Sequence, residues 1–188
     1  QYVRAEDSER LDTFDNVGLL DLLVSRGTNT VEDLPEDLKD KKSMAETIEN
    51  NIRKTIVDEN PTNPKYFEKM SVLLDELIEQ RKQEVIDYKK YLEEMARLAE
   101  QVKRPQGSNY PKEVNTLGKQ AIFDNFSQDV DWVLSLDHAI QTNKQDGYLT
   151  NKMKQKRLKA QLKPLTDEKG LDIDEVFELI IKQAEYGA

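Results

Sequence analysis

Between Pro64 and Pro105 the chain has neither glycine nor proline, and its apolar side chains there recur in steps of three and four. Asn63-Pro64 opens the stretch with a residue that caps helix N-termini, followed by the residue best tolerated at the first helical position. The stripe runs Phe67, Met70, Leu74, Leu77, Arg81, Glu84, Tyr88, Tyr91, Met95, Leu98 and Val102. Lys103 and Arg104 end it, where cations suit the C-terminal helix dipole. The pattern predicts one helix of about 40 residues, roughly 60 Å long at ~1.5 Å per residue, with a heptad seam broken once, at Arg81 and Glu84. The break reads as a water-facing stretch where the helix leaves its neighbour. The sharper alternative is an ion pair that fixes register or partner choice.

Shorter helices surround this one. Asp15–Arg26 carries Val17, Leu20, Leu23 and Val24 on one face and stops at Gly27. Residues 28–42 read as connection, with a turn near Pro35–Lys39. Ser43-Met44-Ala45-Glu46 has capping-box spacing and precedes Ile48, Ile52 and Ile56. After a Pro/Gly/Ser/Asn-rich loop over 104–115 come helices at about 116–126 and 128–142. Asp146-Gly147 makes a turn, and a basic helix over about 150–162 ends at Pro164. The last helix opens at Asp172-Ile173-Asp174-Glu175 and carries Val176, Phe177, Ile180, Ile181 and Ala184. No segment has a convincing period of two. The expected fold is all-α, a helical bundle with one long helix. It divides into 1–42 (N-terminal helix and connection), 43–104 (helical hairpin with the long helix) and 105–188 (C-terminal helical subdomain).

Composition narrows the chemistry. Seven glycines and six prolines in 188 residues are too few for a turn-rich β protein. Charged residues make up 35%, above the usual ~25%. No apolar run approaches the ~20 residues of a membrane span, which points to a soluble, cytoplasmic protein with no membrane partner. With no cysteine there is no disulfide, thiolate metal site or cysteine nucleophile. A single histidine, His138, excludes His-rich zinc sites. The chain begins at Gln1 without an initiator methionine or signal-like segment, which reads as a cut within a longer polypeptide.

Charge is unevenly spread over a net −9. Residues 1–63 carry 8 basic and 15 acidic side chains, whereas 144–163 carry 7 basic and 1 acidic. Lys152, Lys154, Lys156, Arg157 and Lys159 form the concentrated part of this basic segment and, on a helix, span most faces. They read either as a solvated face that neutralises the acidic remainder, or as candidate contacts to DNA phosphates or an acidic protein surface. No aromatic interleaving supports base stacking.

Other constellations read as structural. There is no Gly-rich phosphate loop. Pro35-Glu36-Asp37-Leu38-Lys39 contains nuclease-type residues, but consecutively rather than on adjacent strands. Asp129/Asp131 and Asp172/Asp174 lack the mid-loop Gly and terminal Glu of a calcium loop and read as helix N-terminal acids. His138 beside Asp137 reads as a surface residue, and Trp132 as a core anchor. The expected catalytic, cofactor-binding and metal-ligating residues are none.

Two segments carry a family likeness. The first is Glu46-Thr47-Ile48-Glu49-Asn50-Asn51-Ile52-Arg53-Lys54, then Asp58-Glu59-Asn60-Pro61-Thr62-Asn63-Pro64-Lys65-Tyr66-Phe67-Glu68-Lys69-Met70-Ser71, with Leu73-Leu74-Asp75 and Leu77-Ile78. The second runs from Tyr110-Pro111 through Thr116 and Ala121 to Phe123-Asp124-Asn125-Phe126. Together they resemble the C-terminal helical region of the restriction (R) subunit of type I restriction–modification enzymes. The resemblance covers about 43–126, loosens over 143–188 and is poor before residue 40. It implies a parent chain with a nuclease domain and two motor domains upstream, using ATP and Mg²⁺ to translocate and cleave foreign DNA. It also implies methyltransferase and specificity subunits as partners, and duplex DNA through the parent complex. No catalytic motif of that family has a counterpart here. The resemblance therefore implies a helical piece that docks the motor onto the methyltransferase–specificity core or braces the second motor domain, whose trailing edge would include residues 1–42.

Overall fold

The computed structural model describes residues 41–103, 105 and 110–187. The helix expected over Asp15–Arg26, its Gly27 stop and the turn near Pro35–Lys39 lie outside the described residues. The helices are α1 (Lys41–Glu59), α2 (Pro64–Lys82), α3 (Tyr88–Lys103), α4 (Leu117–Asn125), α5 (Val130–Asn143), α6 (Lys152–Glu168) and α7 (Ile173–Ile180). Single 3-10 turns lie at Asn60–Thr62 and Tyr148–Thr150. Among the described residues there is no strand, and the fold class is all-α. The backbone packs as two compact units: 41–58 with 69–103, and 59–68 with 105 and 110–187.

In the first unit, α1 and α2 run antiparallel. Arg53 meets Asp75 at 2.6 Å, and one turn earlier on α1 Glu49 meets Arg81 at 2.9 Å, further along α2. Ile48, Ile52 and Ile56 of α1 are buried, as their spacing predicts. Ser43 is the third residue of α1 rather than its cap, and its carbonyl accepts from Thr47 Oγ1 at 2.9 Å. Met44 and Ala45 are buried, which fixes the helical turn that leads into them.

The single helix expected from Pro64 to Arg104 is in fact two, of 19 and 16 residues. The stripe residues still face inward: Phe67, Met70, Leu74, Tyr91, Met95, Leu98 and Val102 are all buried. The chain turns at the polar gap in the seam. Glu84 takes a left-handed backbone (φ 55°), Glu84 N–H donates to the Arg81 carbonyl, and Val85 N–H reaches back to the Gln80 carbonyl at 3.0 Å. This is a left-handed helix stop made without glycine. Asp87 then caps α3 by accepting from Lys90 N–H at 2.9 Å. A continuous helix would hold the Cα atoms of residues 81 and 91 about 15 Å apart along its axis. Instead Arg81 Cζ lies 5.6 Å from the Tyr91 ring centre, and both residues bond Glu49 Oε1.

The second unit is built on one apolar cluster that includes Ile122, Trp132, Val133, Leu136, Ile140, Leu158, Leu162, Val176, Phe177 and Ile180. Thr116, Asp129, Asn151 and Asp172 cap α4 to α7 through their side chains, as helix-start residues should. Pro164 does not end the basic helix, which continues to Glu168. Pro164 and Ala160 are exposed, so water can satisfy the Ala160 carbonyl that proline leaves without its donor. Thr166 is buried, Leu165 packs on the cluster, and the Leu165 carbonyl accepts from Trp132 Nε1 at 2.9 Å. These contacts hold the extra turn, and Gly170 (φ 65°) then stops it.

The C-terminal tail closes this unit. Thr116 Oγ1 donates to Glu185 Oε1 at 2.8 Å, Tyr148 OH to the Tyr186 carbonyl at 3.0 Å and Tyr186 OH to Asp137 Oδ1 at 2.9 Å. Gly118 permits this approach, because a Cβ there would clash with the Glu185 carboxyl and sit 2.8 Å from the Tyr186 ring.

Two stability measurements follow from these geometries. Gly118→Ala should cost about 1–3 kcal/mol, since the buried Tyr186 ring cannot swing aside as a surface side chain would. At Glu84, Gly should match or exceed the parent, while the β-branched Val should fall below Gly by at least about 1 kcal/mol. Urea unfolding midpoints at constant m-value would measure both. Equal stability of Glu84→Gly and Glu84→Val would contradict the left-handed turn.

Candidate interaction surface

Helix α6 carries all five basic residues singled out from the sequence. Asn151 Oδ1 starts it by accepting from Met153 N–H at 3.0 Å and Lys154 N–H at 3.2 Å. Leu158, Leu162 and Thr166 then face the core. At ~100° per residue, Lys152, Lys156 and Lys159 share one row, while Arg157 lies about a third of the way round the helix from it and Lys154 on the opposite side. The cations therefore span most faces, as the sequence predicts, and leave only the arc of Leu158, Leu162 and Thr166 to the core. Lys154 Nζ donates to the Asp146 carbonyl at 2.6 Å. Lys159 Nζ pairs with Asp174 Oδ1 at 2.6 Å and sits 4.6 Å from the Phe177 ring centre. Lys152, Lys156 and Arg157 are exposed and form no ion pair with a described residue. Met153, between them, is 65% exposed.

The other candidate residues take structural positions. Trp132 is buried and its indole N–H is bonded to the Leu165 carbonyl, so it anchors the core. His138 is exposed, while Asp137 beside it receives Tyr186 OH and lies 3.9 Å from Lys119 Nζ. Asp129 accepts from Trp132 N–H at the start of α5 and pairs with Lys169 at 2.8 Å, and that lysine holds its carboxyl below the usual range. Asp172 caps α7 through Asp174 N–H at 2.6 Å. Among the described residues no group of three or more His, Cys, Asp or Glu side chains is placed to hold a metal ion. Beside α2 and α3 an open groove of about 600 Å³ is lined in part by Leu73, Leu77, Ile86 and Leu98. Glu94 and Arg97 also line it and pair with each other at 3.0 Å.

Sequence reasoning missed two polar clusters. In the first unit, Glu49 Oε1 accepts from both Arg81 Nε (2.9 Å) and Tyr91 OH (2.7 Å). Arg81 thus does form an ion pair, but with α1. In the second unit, Asp124 Oδ2 accepts from Asn63 Nδ2 (2.8 Å) and Tyr110 OH (2.5 Å), while Asn125 Nδ2 donates to Asn63 Oδ1 (2.7 Å). Lys65 adds its backbone N–H to Asn125 Oδ1 and its Nζ to the Asn125 carbonyl. The two separated segments that carry the family likeness are therefore bonded to each other here. Only Asn63, as a helix cap, was visible in advance.

Comparison of the chain with protein-family models, with curated proteins and with solved structures gives no match.

The phenols report on these clusters. Burial pushes the Tyr91, Tyr110 and Tyr186 hydroxyls well above their ordinary value of 10.0, and the carboxylates of Glu49, Asp124 and Asp137 push them further. Each folded pKa is raised, so the associated stability is fully present below about pH 10. Above that pH the unfolded chain releases protons that the folded chain keeps, and stability falls as pH rises. Ultraviolet titration of tyrosine alongside circular dichroism should show these phenols ionising only as the helices melt. Full ionisation with intact helicity would refute the buried pairings.

Proposed function

We propose that this chain is a non-catalytic helical docking and assembly module of a type I restriction R subunit. In this reading it attaches the motor and nuclease parts, with their ATP and Mg²⁺, to the methyltransferase–specificity core. The resemblance of 43–126 motivates the reading. The observation that carries it is the direct bonding of the two resembling segments through Asn63, Lys65, Tyr110, Asp124 and Asn125. A pattern recognised in two pieces of sequence acquires one physical reason when the pieces form one network. A second reading, contact with duplex DNA, is favoured by the exposed Lys152, Lys156 and Arg157.

Size exclusion with light scattering tests the main reading on a mixture of the chain with its cognate methyltransferase–specificity core. The expected result is co-elution in a defined stoichiometry at low and at moderate salt. Separate elution under both conditions overturns docking.

A further inference from the structure

Helix α6 has a second face besides the one in the core. Met153, Arg157, Ala160 and Pro164 step by four, three and four, and all are exposed. These are the spacings of a heptad seam, about 16 Å long at ~1.5 Å per residue. One residue ahead of each seam position stands a lysine: Lys152, Lys156, Lys159 and Lys163 form a parallel row with the same steps. With Met153 and Ala160 at d positions, Lys156 and Lys163 fall at g, where interhelical ion pairs form; Lys152 and Lys159 lie one position further out, and Arg157 places a charge at an a position within the seam.

The two halves of the face differ. Lys159 and Lys163 are occupied by Asp174 (2.6 Å) and Asp167 (2.8 Å). Beside them the small Ala160 and the flat Pro164 allow another backbone to approach closely. Toward the helix start, Lys152, Lys156 and Arg157 stand around the exposed Met153 without ion pairs to described residues. We propose that this outer face of α6 is a docking site for an amphipathic helix of another protein, which places an apolar stripe along Met153, Ala160 and Pro164 and acidic side chains against Lys152, Lys156 and Arg157. The proposal rests on the docking reading and assigns it a surface.

An acidic helix fits better than duplex DNA. A phosphate backbone offers nothing apolar to Met153, Ala160 and Pro164. Two of the four lysines in the row are already neutralised, and the Asp167 and Asp174 that neutralise them would repel phosphate.

The test compares the unaltered chain with Lys152→Glu/Lys156→Glu and with Met153→Asp. Positions 152 and 153 lie in the first turn, where acids suit the helix dipole, and Lys156 is exposed, so both variants should fold, and thermal melts monitor this. Affinity for the methyltransferase–specificity core is measured at two salt concentrations, and affinity for a plain DNA duplex is measured in parallel. The expected result is core binding weakened about tenfold or more by the double reversal, and weakened by Met153→Asp at both salts. If the unaltered chain binds the core and both variants bind equally well, the surface is overturned while docking stands. If the unaltered chain does not bind the core, docking itself fails, and this inference with it. If the double reversal loses duplex binding with a steep salt slope while both variants keep core binding, the face contacts DNA and the proposal is wrong. If light scattering instead shows self-association that the variants abolish, the occupant is a second copy and the proposal is likewise wrong.

Discussion

The course of the first unit depends on a single carboxylate. Glu49 lies mostly buried on α1, and its Oε1 atom takes hydrogen bonds from Arg81 near the end of α2 and Tyr91 in α3. A buried carboxylate is costly unless its charge is matched and its lone pairs are used. Arg81 supplies the charge, and the arginine in turn lies over the Tyr91 ring. Satisfying one oxygen from both residues requires the chain to reverse between them. The turn at Glu84 and the cap at Asp87 are the local means of that reversal. The packing of Leu74 and Met95, both fully buried, depends on it as well.

The second unit divides the work differently. Its apolar cluster sets which faces of α4 to α7 turn inward, and polar bonds then fasten the pieces that the cluster does not cover. Asp124 and Asn125 hold the Asn63 turn, Gln183 Nε2 donates to the Thr62 carbonyl at 2.7 Å, and Glu185 with Tyr186 holds the C-terminal tail. Every helix start in α4 to α7 is capped by its own side chain, so these helices need little further help at their N-termini. Near the start of α6, Lys152, Lys156 and Arg157 remain without ion pairs to described residues.

Much of this was legible from spacing and caps. The buried stripe was read correctly on both sides of Glu84, because heptad spacing reports which side chains face inward whether or not the helix is continuous. Thr116, Asp129 and Asp172 sit at the helix starts that their residue types suggest. The reversal at Glu84 was not legible, since no glycine or proline marks it. A left-handed glutamate is a local cost that Glu49, Arg81 and Tyr91 offset from elsewhere in the chain. Pro164 misled for the mirror reason: a local helix breaker is overruled by the buried Thr166 and the Trp132 bond to Leu165. The Asn63–Asp124 bond joins residues 61 apart in sequence, a separation at which periodicity carries no information. On α6 the spread of the basic residues round the helix followed from their spacing, with the buried Leu158 and Leu162 taking the remaining arc.

The contrast between α6 and the remainder of the chain bears on selectivity. The protein carries a net −9, yet its most cationic segment turns Lys152, Lys156 and Arg157 outward without ion pairs to described residues. At physiological salt, charges farther apart than about 8 Å are largely screened. A partner seated on α6 therefore feels chiefly Lys152, Lys156 and Arg157, and little of the distant acids. A long polyanion such as duplex DNA also meets the carboxylates flanking the row, including Asp167 and Asp174, and gains little from the apolar midline. A short acidic helix avoids that repulsion and buries Met153 as it docks. On the proposed reading, charge sets which partner approaches and the heptad-spaced midline sets its register. Length, charge and apolar spacing must then agree in one partner, a condition that neither plain DNA nor an arbitrary acidic surface meets.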